Sequence, residues 1–452
     1  MKAKDIRLLI FISAVLFSLL LIHIISGDKA GSIVRITENG SVIGEYPLSE
    51  DRTIELSHNT ITIKDNSVSV TEADCPDGLC MRQGSISHLG EVIACLPNRV
   101  TVEVISKDHD RPGLPVSYSG IHFDTMVNVT IYGISDTGSS GAVSSGDHGS
   151  ASIPDNGSED SGYYNEFIRR ECEKYELICS RTNPDSELYM LNHRLINDKI
   201  EIVHEGQGLT AYKVSSELYE MIEAGLRAND LSCGKFDIAI APLSDLWDFR
   251  SGDAVIPSDD EIASVLPHLS PDDIILADDQ RIAFADDRCM IDLGALAKGY
   301  IGDRLRDSLS EAGVTNAIIA LGGNVVAMGD KNGAPYEVGI RKPFSQSGEL
   351  SATVAAQDMS VVTSGTYERF FESDGRLYHH ILDPRTGYPY ETDLASATVI
   401  CGSSTDGDIL STILLTEGSD AAIEHAHKLE NEDIYVILMD NEGHVLLNTY
   451  PD

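Results

Sequence analysis

Apolar positions along the chain fall into three regimes. The first is a run from Leu8 to Ile25 that contains no acidic residue and follows Lys2, Lys4 and Arg7. A bilayer core needs about 20 such residues, so residues 6–26 are expected to form a transmembrane anchor. No small-x-small site and no cysteine for lipidation follow, which points to an uncleaved anchor rather than a signal. The basic flank belongs in the cytoplasm. The rest of the chain is then expected on the extracytoplasmic side of the cell membrane.

From residue 30 to 106 apolar residues alternate with polar ones, and no helical period appears. Runs at 32–36 and 41–46 flank Asn39-Gly40, and runs at 60–64 and 67–70 flank Asp65-Asn66, which is hairpin patterning. With 92–95 and 100–105 they predict a small β sandwich or barrel. Residues 107–120 hold prolines and charges and read as a linker. Residues 121–449 mix two periods. A strand is expected at 125–132, then a Ser/Gly/Asp-rich surface insertion at 136–162 and a helix at 166–179. Ser215 or Ser216 would cap a helix carrying Leu218, Met221, Ile222 and Leu226. Strand-like runs follow at 316–321, 324–328, 337–340, 353–355, 360–363, 397–400 and 434–439. Strands outnumber helices without βαβ alternation, so the fold class is α+β.

One stretch organises this region: Met290-Ile-Asp292-Leu-Gly294-Ala295-Leu-Ala-Lys298-Gly-Tyr-Ile301. It reads as an apolar strand, a turn at Gly294, and a helix whose apolar positions Ile301, Leu305 and Leu309 recur every fourth residue. Asp292 would then sit at a helix N-terminus, where free N–H groups make an anion site. A carboxylate beside an anion site makes sense if a cation is shared between them. The plainer account has Asp292 capping the helix.

Other phrases carry candidate chemistry. Asp237 opens an apolar run after Cys233-Gly-Lys235-Phe236. Leu321-Gly322-Gly323-Asn324 makes a bend where a backbone can approach a ligand. Residues 363–369, TSGTYER, cluster hydroxyls beside a glycine. In His379-His380-Ile381-Leu382-Asp383-Pro384-Arg385-Thr386-Gly387, His380 lies three residues before a turn. A neutral imidazole near a hydroxyl is a competent general base. Asp408 and Thr412, four apart on an expected helix, share a face. Carboxylate and hydroxyl are hard oxygen ligands that suit Mg2+ better than zinc or iron. Each phrase also has an ordinary structural explanation; Asp408, for instance, would favour the first turn of a helix anyway.

Composition changes the picture in two places. A net charge of −39 over 452 residues excludes nucleic acid as a partner and means that a polyanionic ligand needs a metal or local basic residues. The eight cysteines do not make a dense disulfide framework. Three of them, Cys75, Cys80 and Cys95, lie in the first β unit. Cys75 and Cys80 can pair outside a cell, and Cys95 can exchange with them; a metal site there would want closer spacing and a fourth ligand.

The phrases ADCPDGLCMRQGSIS and ACLPNRVTVEV resemble the domain II-like module related to the transcription factor NusG, over most of residues 30–106. Downstream, FDTMVNVTIYG, CSRTNPDSELYMLN, IDLGALAKGY, LGGN, TSGTYERF, HHILDPRTGYP and DGDILST occur in an order similar to the ApbE family, the FAD:protein FMN transferases. That resemblance implies a T-fold-related catalytic domain over residues 121–449. It implies cleavage of the FAD pyrophosphate, release of AMP, and esterification of FMN to a Thr or Ser of a client protein, with Mg2+ required. Asp408, Thr412 and the Ala295 carbonyl match the family's metal ligands, with Ser411 near. Asp292, Lys298, Lys235, Phe236 and Asp237 match FAD-contacting positions, and Ile381 or Leu382 should line the same site. His380 matches the histidine before Asp-Pro that would activate the client hydroxyl, with Asp292 as a second catalytic group. Phe123 stands where many members have Met, and Thr182 where many have Tyr, so a stacking ring is lost. The implied clients are FMN-bearing subunits of membrane electron-transport complexes. Two alternatives stay open on the same residues: a Mg2+-dependent FAD pyrophosphatase giving FMN and AMP, and a flavin-binding or thiol-active envelope protein without catalysis.

Overall fold

The computed structural model describes residues 32–75, 78–88, 91–95, 97–106, 115–135, 161–249, 255–345 and 349–451. The expected anchor at 6–26 lies outside them, as do residues 107–114 of the expected linker and 136–160 of the expected insertion. Among the described residues no helix is long and apolar enough to cross a membrane. The chain divides into two compact units, Met1–Leu114 with Ser119–Met126, and Pro115–Tyr118 with Val127–Asp452.

The first unit contains β1 (Ser32–Glu38), β2 (Ser41–Pro47), β3 (Arg52–Glu55), β4 (Asn59–Lys64), β5 (Ser67–Ala73), the short α1 (Leu79–Arg82), β6 (Val92–Cys95) and β7 (Val100–Ser106). Two antiparallel sheets, ordered β2-β1-β7-β6 and β3-β4-β5, share one core. Period-two alternation delivers Val34, Ile36, Ile61, Ile63, Val102 and Val104 to that core. Both expected hairpins form. Asn39 and Gly40 have φ of 52° and 76°, and Asp65 and Asn66 have 52° and 56°, the left-handed pair that a two-residue turn requires.

β8 (Val116–His122) and β9 (Thr125–Ile134) come next, with residues 119–126 counted in the first unit. Residues 116–120 were expected in the linker. They form a strand instead because Val116, Tyr118, Gly120 and His122 alternate into buried positions after Pro115. Next come α2 (Ser161–Cys179), α3 (Glu187–Asn192), β10 (Lys199–His204), β11 (Gln207–Lys213), α4 (Ser216–Leu231), α5 (Ala241–Trp247), α6 (Asp259–Val265), β12 (Ile274–Ala277) and β13 (Arg281–Phe284). The cap of α4 is Ser215, whose Oγ accepts the Leu218 N–H at 3.3 Å. Then follow α7 (Ala297–Glu311), β14 (Val314–Leu321), β15 (Asn324–Met328), β16 (Tyr336–Arg341), β17 (Leu350–Ala356), β18 (Met359–Gly365), β19 (Phe370–Ser373), β20 (Arg376–His379), β21 (Leu394–Cys401), α8 (Ser404–Glu417), α9 (Ser419–Leu429), β22 (Tyr435–Asp440) and β23 (Val445–Asn448).

An eight-stranded sheet, β23-β22-β21-β18-β15-β14-β9-β8, forms the frame. Every residue of β21 is buried, because both faces are covered. Leu410, Leu414, Leu415, Ala422 and Ala426 of α8 and α9 pack on Ala397 and Val399. Val338, Ile340 and Val354 of the β16–β17 hairpin pack with Val361, Ile400 and Ile437. The sheet is antiparallel, as the missing βαβ alternation predicts. The sheet β10-β11-β13-β12 was not among the expected strands; β10 carries Ile200, Ile202 and Val203, but Ile200 and Val203 stay exposed.

The expected strand before Asp292 shrinks to one parallel bridge between Met290 and Ile240. Asp292 accepts the Gly294 N–H at 2.8 Å through Oδ1, which bends the chain, and α7 starts only at Ala297. Asp292 therefore does not cap the helix.

Candidate functional site

The site is built where α7 meets α8. The Gly299 N–H donates to Asp408 Oδ2 at 2.9 Å. α7 starts at Ala297, so this N–H is one of the first four that have no acceptor within the helix, and the Asp408 carboxylate fills that role in place of a side-chain cap at Leu296. The Ala295 oxygen, just before the helix, has no backbone donor among the described residues. The helices touch closely enough for the Gly299–Asp408 bond: a Cβ on Gly299 would stand 2.3 Å from the Ser404 carbonyl and 2.8 Å from the Asp408 Cβ. Asp303 of α7 locks the pairing, accepting the N–H groups of Ser404 at 3.0 Å and Thr405 at 2.9 Å at the start of α8.

Asp408 is 2% exposed, and burial pushes its carboxyl up, opposed by the Lys298 charge, the Gly299 N–H and nearby Asn324. One turn further along α8, Ser364 Oγ of β18 lies 2.8 Å from Ser411 Oγ and 3.2 Å from Thr412 Oγ1. Asn324 is fully buried, and although it is close enough to influence Asp408, neither of its amide atoms makes a hydrogen bond of normal geometry. A hard cation fits this donor set: a carboxylate, hydroxyls and an orphaned amide, with no sulfur or imidazole among them.

Charged side chains surround these oxygens. Enclosure by protein raises the Glu368 carboxyl, although part of its surface meets solvent. Lys298, Arg369 and Arg341 pull it down again, and Asp408 pushes it up. Glu368 Oε1 lies 3.1 Å from where a Gly323 Cβ would be, and the same Cβ would strike the Thr363 carbonyl at 2.7 Å, so glycine is required in that bend. Three cations around two carboxylates make a place where phosphate oxygens can be held in an otherwise acidic chain.

The two histidines have separate fates. His379 is used up: its Nε2 faces the Tyr390 carbonyl at 3.0 Å and its Nδ1 accepts the Ile381 N–H at 3.3 Å. His380 Nδ1 lies 3.2 Å from the Arg369 carbonyl. A carbonyl only accepts, so Nδ1 must carry the proton and Nε2 is left with a free lone pair. The ring keeps part of its surface open to solvent, yet the chain crowds it at longer range. That desolvation, with the Arg369 charge, holds its pKa well below the usual imidazole value.

The remaining expected positions are placed as follows. Asp292 Oδ2 is paired with Arg181 Nε at 2.9 Å, and Arg181 also pairs with Asp245, so the cation beside Asp292 is a guanidinium. Thr182, next in sequence, is exposed. Lys298 is half-buried, with Nζ 3.4 Å from the Gly294 carbonyl. The Lys235 carbonyl accepts the Tyr390 hydroxyl at 3.0 Å, which joins residues 235–237 to the segment after His380. Phe236 is 3% exposed and packs inward. Asp237 accepts the Ala239 N–H at 2.7 Å, and burial raises its carboxyl to about 6. Leu382 sits in the core around Trp247, Leu243 and Ile262, while Ile381 is half-buried beside the α8–α9 core. Phe123, with φ 54°, forms the β8–β9 turn in the segment that belongs to the first unit.

Sequence reasoning left Asn324, Ser364, Glu368 and Arg369 without roles and did not single out Arg341, Asp303 or Arg181. The first four lie inside the phrases LGGN and TSGTYERF, so the phrases marked the neighbourhood. Only the register of β15 on β18, Asn324 opposite Val362, brings the two phrases side by side.

A family model described as the ApbE family matches residues 123–438, and one described as NusG domain II matches residues 6–108. An FAD:protein FMN transferase of Klebsiella pneumoniae (strain 342) is 34% identical over 278 residues, 61% of this chain and 82% of that protein. One from Treponema pallidum (strain Nichols) is 31% identical over 284 residues, 59% of this chain and 75% of that protein. Among solved structures, the ApbE protein of Thermotoga maritima aligns with a TM-score of 0.60 at 25% identity, covering 74% of this chain and 97% of that one. A flavin transferase ApbE from Vibrio cholerae aligns with a TM-score of 0.58 at 24% identity, covering 74% and 97%, a likeness of fold.

Proposed function

The chain belongs to the ApbE family of FAD:protein FMN transferases, and from that premise we propose that it uses Mg2+ to move FMN from FAD to a Thr or Ser hydroxyl of a client flavoprotein, releasing AMP. The observation that carries this reading is the Asp408–Gly299 bond, which orients a buried carboxylate one helical turn from the Ser411 and Thr412 hydroxyls. Asp408, Thr412, the Ala295 carbonyl and Ser411 would hold the metal. When bound, Mg2+ neutralises pyrophosphate charge as it develops.

The protein's own residues supply the rest. Lys298, Arg369 and Arg341 offset the phosphates that a −39 chain would otherwise repel. His380 Nε2 takes the proton of the client hydroxyl. The hydroxyl oxygen bonds to the FMN phosphorus while the bond from phosphorus to the oxygen shared with AMP breaks, and AMP departs with that oxygen. The lowered pKa keeps His380 neutral, with Nε2 unprotonated, and makes the ring a weaker base than an ordinary imidazole. Lys235, Asp237, Asp292 and Ile381 are proposed to line the flavin side. The clients are FMN-bearing subunits of membrane electron-transport complexes, and residues 6–26 would anchor the enzyme with this domain on the extracytoplasmic face. Incubating the full chain with FAD, Mg2+ and a client, followed by mass analysis, tests the reading. A client heavier by FMN supports it; free FMN and AMP with an unmodified client indicate hydrolysis instead.

A further inference from the structure

The first unit holds a cluster that flavin transfer does not use. Cys75 ends the segment after β5, Cys80 lies in α1 and Cys95 closes β6. A turn in which the Gly78 N–H donates to the Cys75 carbonyl at 3.2 Å folds the first two together. All three sulfurs lie within 4.8 Å of one another, with Cys75 and Cys80 3.5 Å apart. They are free thiols, 8%, 1% and 2% exposed.

A disulfide requires two sulfurs and leaves the convergence of the third unexplained. Sulfurs sharing one ion at a metal–sulfur distance of about 2.3 Å stand about 4 Å apart in a trigonal plane, which matches this triangle. A second observation points the same way. Asn59 Nδ2 donates to Cys80 Sγ at 3.8 Å. Its amide cannot be turned round, because Asn59 Oδ1 accepts from Asn98 Nδ2 at 2.9 Å, and Asn98 Nδ2 is itself held by Asp74 Oδ1 at 3.1 Å. A fixed N–H aimed at a sulfur is the outer-shell support that a bound thiolate uses.

We propose that Cys75, Cys80 and Cys95 form a three-coordinate site for a soft monovalent d10 cation, copper(I). Zinc would want a fourth donor, and among the described residues no further His, Cys, Asp or Glu joins the set. Copper(I) accepts three thiolates and is selected by soft sulfur. On binding, three S–H bonds break, three Cu–S bonds form, three protons pass to solvent, and copper stays at +1.

The test uses the full chain, reduced and kept free of oxygen, titrated with copper(I) held by bicinchoninate. The chain should withdraw one copper(I) per molecule. Copper should then protect Cys75, Cys80 and Cys95 from iodoacetamide while the exposed Cys233 is still alkylated. Asn59→Ala, which keeps all three sulfurs, should weaken retention about tenfold, and Cys80→Ser should abolish it. Should Cys80→Ser fail to fold, the amount of copper(I) withdrawn by the unaltered chain and its loss in Cys95→Ser decide the matter. Copper left with the chelator, protection confined to other cysteines, or displacement of copper by equimolar zinc(II) overturns the proposal. So does a Cys75–Cys80 disulfide that persists under reductant.

Discussion

Gly299 gives its backbone N–H to the carboxylate of Asp408, 109 positions away in sequence. One hydrogen bond thus sets the direction of a buried acid that is an expected metal ligand. It depends on a contact that only a residue without a Cβ permits.

Gly299→Ala is expected to push α7 from α8, since its Cβ would meet the Ser404 carbonyl at 2.3 Å. Overpacking of this kind costs about 1–3 kcal/mol. A lower urea midpoint and a higher Mg2+ concentration for half-maximal transfer should appear together. A change in stability alone would separate the helix contact from the metal site.

Asp408→Ala is expected to lower transfer on the order of 100-fold or more, because a metal carboxylate contributes several kcal/mol to charge stabilisation. Ser411→Ala and Thr412→Ala remove single hydroxyls and should cost less. Turnover against Mg2+ concentration is the measurement. Unchanged turnover of Asp408→Ala at limiting Mg2+ would refute its role.

His380→Ala is expected to reduce transfer about 100- to 10,000-fold, the range of general-base catalysis, while FAD affinity changes little. Because desolvation and Arg369 hold the imidazole pKa down, the acid limb of kcat/KM should lie below the ordinary imidazole value of 6.5. Arg369→Gln removes the neighbouring positive charge and should move that limb upward. Equal losses of binding and transfer in His380→Ala would assign His380 a structural role.

Asp237 makes stability depend on pH in a stated direction. Burial pushes its carboxyl up to about 6 from the ordinary aspartate value of 3.8, so the native state binds the extra proton. Stability from this group is fully present below 3.8 and is lost as pH rises through about 6. Two units correspond to about 2–3 kcal/mol. Asp237→Asn retains an oxygen for the Ala239 N–H and should raise the urea midpoint at pH 8, with little gain at pH 4.

Much of this was legible along the chain. Asn39-Gly40 and Asp65-Asn66 dictate hairpins because those residues tolerate positive φ. Ser215 caps α4 because its oxygen meets an N–H three residues away. The four-residue step from Asp408 to Thr412 follows from helix geometry alone. These are local consequences, decided within one turn of chain. The motifs also announced a family before any contact was known.

Tertiary structure decided what depends on distant segments meeting. In sequence Asp292 could share a cation at an anion site or cap a helix; in the fold it does not cap α7 and pairs with Arg181. His379 and His380 are neighbours with equal claims in sequence; the carbonyls of Tyr390 and Arg369 leave a free Nε2 only on the second. Glu368 gains its meaning from its neighbour Arg369 and from Lys298, Arg341 and Asp408, which three separate segments bring around it. Periodicity specifies which face of an element is buried. Which polar group waits on the other side is set by packing and by strand register, and neither is written in any one window of residues.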